Sequence, residues 1–334
     1  MPLSINTQFP SLCLSADLPE EVSISAQDED TSAQVSVIVD GETVFQTTLY
    51  AFGHNMALHD IRSVIEDAIR ENNNSTASCR ITATDGSDTV QTSTFLVIFS
   101  QFSIPQPATF LLQHFLTTRR SFRITRDGTQ TLSWFSRQGE QVSAWIEATV
   151  MPSNATAPIV VLLNQTTIRP TNDTVYQYAI SVVDIQTQVR TRGRLLSFKI
   201  VRGQRGIHFY VTDEQPALSV SFLNAFNLPE LAEIFGTMKM IQETESNEAV
   251  CGRKRILFDR NDRHNLEIET TVLSYDEAKW LRQLLASRFI TVPVNGTQKE
   301  ILIDSSQLEI SDDNTATNRL KFTCHYANDI QYHS

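Results

Sequence analysis

The sequence predicts a mainly β protein, built as successive antiparallel β-sandwiches or partial barrels, with one packed α-helix in an N-terminal unit and one in a C-terminal unit. Period-2 alternation of apolar and polar residues recurs along most of the 334 residues. Asp-Gly pairs at Asp40-Gly41 and Asp85-Gly86 sit between such runs, as hairpin turns do. Two segments alone carry the apolar spacing of an amphipathic helix.

The first unit spans residues 1–104. Val35 to Val39 and Val44 to Leu49 flank the first Asp-Gly pair, and Arg80 to Thr84 and Val90 to Phe99 flank the second. Between them a helix is predicted over 58–71. Leu58, Ile61, Ile65 and Ala68 or Ile69 mark its buried face, Asp60 is its candidate cap, and Asn72-Asn73-Asn74-Ser75 ends it. Pro105 and Pro107 mark a boundary. Residues 105–215 read as strands throughout, with candidates at 121–125, 130–135, 142–150, 159–163, 175–183, 195–201 and 207–211. Arg202-Gly203-Gln204-Arg205-Gly206 reads as a five-residue hairpin loop. Phe110 to Leu116 is apolar on all sides and fits strand or helix.

The third unit spans 216–334. Strands are predicted at 218–226, 234–241, 253–258 and 266–273, with Asp259-Arg260-Asn261-Asp262 as a hairpin turn in place of half a calcium loop, since it lacks the central Gly and terminal Glu. The helix over 275–286 is the best-specified element. Ser274 followed by Glu277 forms a capping box, Asp276 and Glu277 suit the positive helix end, and Ala278, Leu281, Leu284 and Leu285 form one stripe with Trp280 inside it or at its edge. Strands close the unit, with Asp312-Asp313-Asn314 read as another turn.

Composition narrows function. Hydrophobic residues at 41% supply real cores, and a net charge of −11 argues against wholesale nucleic-acid binding. No apolar run approaches the roughly 20 residues of a membrane span, and the N-terminal MPLSINTQFPSL lacks the pattern of a signal peptide. Cys13, Cys79, Cys251 and Cys324 contain no CxxC and read as free, buried thiols. Six Asn-x-Ser/Thr sequons read as turns rich in Asn and Thr. Catalytic signatures do not emerge: no P-loop, GxSxG or HExxH is present. His54, His59 and Asp60 would need a further ligand to hold a metal. Glu267 and Glu269 share one strand face, whereas glycoside hydrolysis needs carboxylates facing across a cleft. No catalytic residue, cofactor or metal ligand is assigned.

Basic residues cluster against the acidic background. One group is Arg119, Arg120, Arg123 and Arg126; the other is Arg190, Arg192, Arg194, Lys199, Arg202 and Arg205. Alternation of Arg190, Arg192 and Arg194 would place them on one strand face. The candidate interface is therefore Arg190, Arg192, Arg194, Arg202 and Arg205 against an acidic strand carrying Glu267 and Glu269, on another copy of the chain.

The stretches SVSFLNAFNLPELAEIFGT, LEIETTVLSYDEAKWLRQLLASRFI and EILIDSSQLEISDD, with VDGETVFQTTLY and LHDIRSVIEDAI near the start, resemble tail-region structural proteins of phages and prophages of anaerobic gut bacteria. Those proteins often carry Gly where this chain has Asn227. The resemblance implies a non-enzymatic structural subunit of a phage tail or related contractile apparatus, acting as a ring-forming or adaptor protein. It would be made in the bacterial cytoplasm, reside in the virion, and partner other copies of itself and other tail proteins. The alternative is a cell-surface adhesin or carbohydrate-binding module using Trp134 and Trp145, and a hydrolase is a more distant third.

Overall fold

A computed structural model describes residues 3–26, 28–29, 31–140, 142–168, 170–203, 205–251, 254–311 and 317–327. The chain is mainly β, with several antiparallel sheets and, among the described residues, four α-helices.

In the N-terminal unit, β1 (Ser4–Ile5), β3 (Glu21–Ser25) and β6 (Asn55–His59) form one antiparallel sheet. A second sheet has the order β2 (Leu12–Leu14), β9 (Phe95–Ile98), β7 (Thr76–Thr84), β4 (Ser32–Val39), β5 (Glu42–Tyr50), with β8 (Thr89–Gln91) beside β7. Alternation does what the sequence predicts: Ala33, Val35, Val37 and Val39 are buried along β4 while their neighbours are not. The β4–β5 turn has positive φ at both Asp40 (50°) and Gly41 (89°), as a tight hairpin needs. Helix α1 (Ile61–Glu71) buries Ile61, Ile65, Ala68 and Ile69 against these sheets. It starts later than predicted. Leu58 belongs to β6, and Asp60 is left-handed (φ 59°) and makes no side-chain cap bond.

The middle unit is a sandwich with two short helices, so the all-β reading of 105–215 is corrected. Helix α2 (Pro107–Gln113) resolves the ambiguous apolar run, with Pro at its start, where no N–H is needed. β10 (Ser121–Thr125), β16 (Arg205–Thr212), β15 (Arg194–Arg202), β12 (Val142–Met151) and β13 (Ile159–Ile168) make a five-stranded sheet. β11 (Thr129–Ser136) and β14 (Thr174–Ser181) make a two-stranded one. Helix α3 (Val182–Val189) follows β14, capped by Ser181 accepting from the Asp184 N–H, where β-branched residues had read as strand. Two parallel pairs, β10–β16 and β2–β9, interrupt the otherwise antiparallel pairing.

The C-terminal unit is one seven-stranded sheet in the order β18 (Pro229–Ile234), β17 (Leu218–Leu223), β21 (Ile290–Val294), β22 (Thr297–Glu309), β23 (Arg319–Tyr326), β20 (Lys254–Thr270), β19 (Gly236–Cys251). Phe235 alone joins the two edge strands β18 and β19, so the sheet curls into a partial barrel. Gly236 sits at that join because a Cβ there would lie 2.0 Å from the Glu269 carbonyl oxygen. Helix α4 (Tyr275–Ala286) has the predicted capping box: the Ser274 hydroxyl accepts from the Glu277 N–H at 3.2 Å, and the Glu277 carboxylate accepts from the Ser274 N–H at 3.1 Å. Ala278, Trp280, Leu281 and Leu284 are its buried face. The strands predicted at 253–258 and 266–273 are one strand, β20, and Asp259–Asp262 lies inside it, not in a turn. The predicted Asp312–Asn314 turn lies outside the described residues.

Hydrogen-bonded sheets stay within the three units, but the apolar cores do not. One cluster runs from Phe122, Trp134 and Phe198 in the middle unit to Phe222, Trp280 and Phe322 in the C-terminal one. A smaller cluster joins all three units through Leu14 and Ile98, Leu111 and Phe135, and Phe226 and Leu228.

Leu281→Asp puts an unpaired charge into the shared core and is expected to unfold or aggregate the protein. Ser274→Ala removes one cap bond and is expected to cost about 1 kcal/mol. Thermal denaturation of the two variants distinguishes them; similar melting for Leu281→Asp and wild type would mean that the stripe is not core.

Candidate functional site

The predicted interface residues do not come together as one strand face. Arg190 is the helical C-cap of α3, Arg192 lies in the following turn with its N–H donating to the Val189 carbonyl at 2.8 Å, and only Arg194 begins a strand. The three-residue alternation was therefore a helix end and a turn. Arg190, Arg192 and Arg205 are exposed and make no ion pair among the described residues. Arg194 is held by Asp213, which also holds Arg126, and the two guanidinium donors keep the Asp213 carboxyl below its ordinary range.

Arg202 is not an interface residue. It is 3% exposed, and its guanidinium donates to the carbonyls of Leu111 (3.3 Å), His114 (2.7 Å) and Phe135 (2.8 Å). Leu111 and His114 stand at the C-terminal end of α2, where carbonyls lack helical partners and a cation is favoured. Burial lowers the Arg202 pKa to about 10, with Glu140 acting against the shift, so the cation persists at neutral pH. The hairpin is also tighter than predicted, since Arg202 pairs directly with Arg205.

The acidic strand is already paired. Glu267 meets Lys321 at 2.5 Å and Glu269 meets Arg319 at 3.4 Å, both on the adjacent β23. The Lys321 hydrogen bond and charge lower the Glu267 pKa.

The most perturbed charges lie elsewhere, at the junction of the middle and C-terminal units. The Arg119 guanidinium is sandwiched between the rings of Phe122 (3.9 Å) and Trp280 (3.8 Å), with Glu277 at 3.7 Å. Burial lowers its pKa to about 9 while Glu277 and Glu230 oppose the shift. Glu230 is buried and accepts from Trp280 Nε1 at 2.5 Å and Asn224 Nδ2 at 3.1 Å; burial nonetheless pushes its pKa up. Glu233 is likewise raised by burial, against the N–H and hydroxyl of Thr125 at 2.7 and 3.0 Å. Perturbed carboxylates in a cleft would suggest catalysis. Here the cavity beside Arg119, Glu233 and Glu277 measures about 10 Å³, room for about one water and no substrate. These groups hold the fold. Arg119 belongs to the basic cluster in the sequence, where nothing local signals its burial.

Two further candidates have structural surroundings. Trp134 is 1% exposed among Phe115, Tyr176 and Tyr178, which removes it as a sugar platform; Trp145 is half-buried, with its indole N–H 3.4 Å from Glu147. His54 and His59 face single glutamates, Glu29 at 3.7 Å and Glu21 at 3.8 Å. Cys13, Cys79 and Cys324 are buried free thiols, each pushed to about 12 by burial first, but Cys251 is exposed, which corrects the reading for that residue.

The feature that sequence analysis missed is the β19–β20 ribbon. The strands pair from Gly236–Thr270 out to Cys251–Lys254, with one irregularity at Asn247–Glu248. β23 accompanies β20 only over Asn265–Glu269. Outward from Gln242–His264, the two strands have no other ladder partner among the described residues. Ten rungs at ~3.3 Å per residue make an arm of about 33 Å. The signal was present: no Gly or Pro occurs between Gly236 and Gly252.

No family model matches the chain, and no curated protein sequence does. Two solved structures align with it over 99% of its length: the full extracellular region of Plexin A4, as domains 1 to 8 and as domains 1 to 10. Identity is 8% and the TM-score 0.23 in both, and the chain spans 37% and 31% of those chains. Similarity at that level transfers neither fold nor function.

Arg202→Ala would strip three buried carbonyls of their donor and is expected to cost about 3 kcal/mol or more. Arg190→Ala and Arg192→Ala are expected to stay within about 0.5 kcal/mol of wild type. Urea denaturation of the three variants measures this, and equal stabilities would return Arg202 to the surface.

Proposed function

We propose that the protein is a non-enzymatic structural subunit of a phage tail or related contractile apparatus, joined to copies of itself and to other tail proteins through protein surfaces. It acts as a ring-forming or adaptor protein, is made in the bacterial cytoplasm and resides in the virion. The β19–β20 arm is the observation that carries this reading. An isolated two-stranded ribbon is marginally stable in water, and its open edges invite pairing with another chain. A body cored across its units, with such an arm projecting from it, is suited to reaching a neighbour. The arm's sequence mixes charges, with Glu243, Glu245, Glu248, Asp259 and Asp262 against Lys254, Arg255, Arg260 and Arg263. The family resemblance of the FLNAF and capped-helix stretches points to the same use. No helix among the described residues is long and apolar enough to cross a membrane.

Association is expected to weaken at high salt, because exposed charge pairs are screened over about 8 Å at physiological ionic strength. A variant with residues 242–264 replaced by a tight Asn-Gly turn is expected to keep the melting behaviour of the body and lose association. Light scattering across salt and concentration reads both effects. A wild-type protein that stays monomeric under every condition and is absent from any particle would overturn the proposal.

A further inference from the structure

A second basic feature stands apart from the arm. A cavity of about 310 Å³ opens between the end of α2 and the β15–β16 hairpin. Phe110, Phe115 and Ile207 supply its apolar lining, and His114, Arg119, Arg120 and Arg205 its charge-bearing groups, of which Arg119 is already engaged by Glu277. Arg120 and Arg205 come from opposite sides of the sequence: the first precedes β10, the second begins β16. The Arg120 carbonyl accepts from the His208 N–H at 3.0 Å, which ties the two segments together. Neither arginine makes an ion pair among the described residues, and no carboxylate lines the cavity. This is notable in a chain of net charge −11. Burial first, then Arg205 and Arg202, lower the His114 pKa, so the local field is positive. His114 also stacks on Phe110 at 4.7 Å, which fixes its ring at the rim.

We infer that this cavity is an oxyanion site, in which Arg120 and Arg205 hold a small carboxylate or phosphate over an apolar floor. Two arginines that line one cavity without a protein carboxylate repel one another, and an oxyanion relieves that repulsion through charge-assisted hydrogen bonds. The cavity lies at the small end of the size range for ligand pockets, about 300–1,000 Å³. Both arginines are exposed at their positions, so they can be removed without opening the core.

The test is isothermal titration calorimetry of the full chain in chloride buffer, with inorganic phosphate and, separately, N-acetylglutamate. Saturable binding of at least one is expected, weakened about tenfold or more by Arg120→Ala and by Arg205→Ala, and unchanged by Arg190→Ala and Arg192→Ala. Circular dichroism confirms that each variant is folded. Preference for phosphate would identify a free anion as the ligand, and preference for N-acetylglutamate an acidic side chain of another protein chain. No saturable binding of either probe, or equal weakening by the Arg190 and Arg192 variants, would overturn the site.

Discussion

A buried carboxylate requires a donor for each oxygen, and Glu230 finds donors on three different segments: the Thr117 side chain of the middle unit, the Trp280 indole of α4 and the Asn224 amide of the loop after β17. The same indole stacks on Arg119 from the middle unit. The Asn224 side chain also donates to the Leu116 carbonyl at 2.8 Å, and its amide oxygen Oδ1 accepts from the Phe226 and Leu228 N–H groups. The loop then reaches the N-terminal unit, where the Ala225 carbonyl accepts from the Gln101 N–H at 2.9 Å and Asn227 donates to the Asn74 carbonyl at 2.6 Å. The loop over residues 224–228, together with Glu230 and Trp280, thus ties three units together. Breaking one member of such a network leaves buried groups unpaired, which costs more than the bond itself contributes.

That junction gives the FLNAF stretch a physical meaning. Phe222 and Phe226 fill two different apolar clusters, Asn224 closes its own loop, and Asn227 adopts a left-handed φ of 56°. Glycine suits that backbone best and asparagine tolerates it, so the exchange at residue 227 preserves the turn.

Elements specified by neighbouring residues were legible in the sequence. The Ser274–Glu277 box and the Asp40-Gly41 turn are local chemistry, and both formed as read. What depended on distant contacts was not legible. Alternation cannot tell a guanidinium that faces solvent from one that faces three buried carbonyls, so Arg202 was placed at the surface. Val182, Val183 and Val189 favour strands by propensity, yet Ser181 caps a helix there, and Val182, Ile185 and Val189 are buried in the shared core. The polar run Asp259–Asp262 resembled a turn because turns are polar. Inside β20 the same run pairs with β19 as strand. The positive cavity was not legible either, since Arg120 and Arg205 line it only because β10 pairs in parallel with β16.

The shared apolar cluster predicts that the middle and C-terminal units unfold as one cooperative body with an arm attached. Hydrogen exchange read by mass spectrometry across a denaturant series tests this most directly. Peptides from β12 and β15 and peptides from α4 and β23 should open together, at one free energy, while the arm beyond Gln242–His264 exchanges far earlier. Loss of protection in α4 and β23 while β12 and β15 stay closed would contradict a single core joined through Glu230, Trp280 and Arg119.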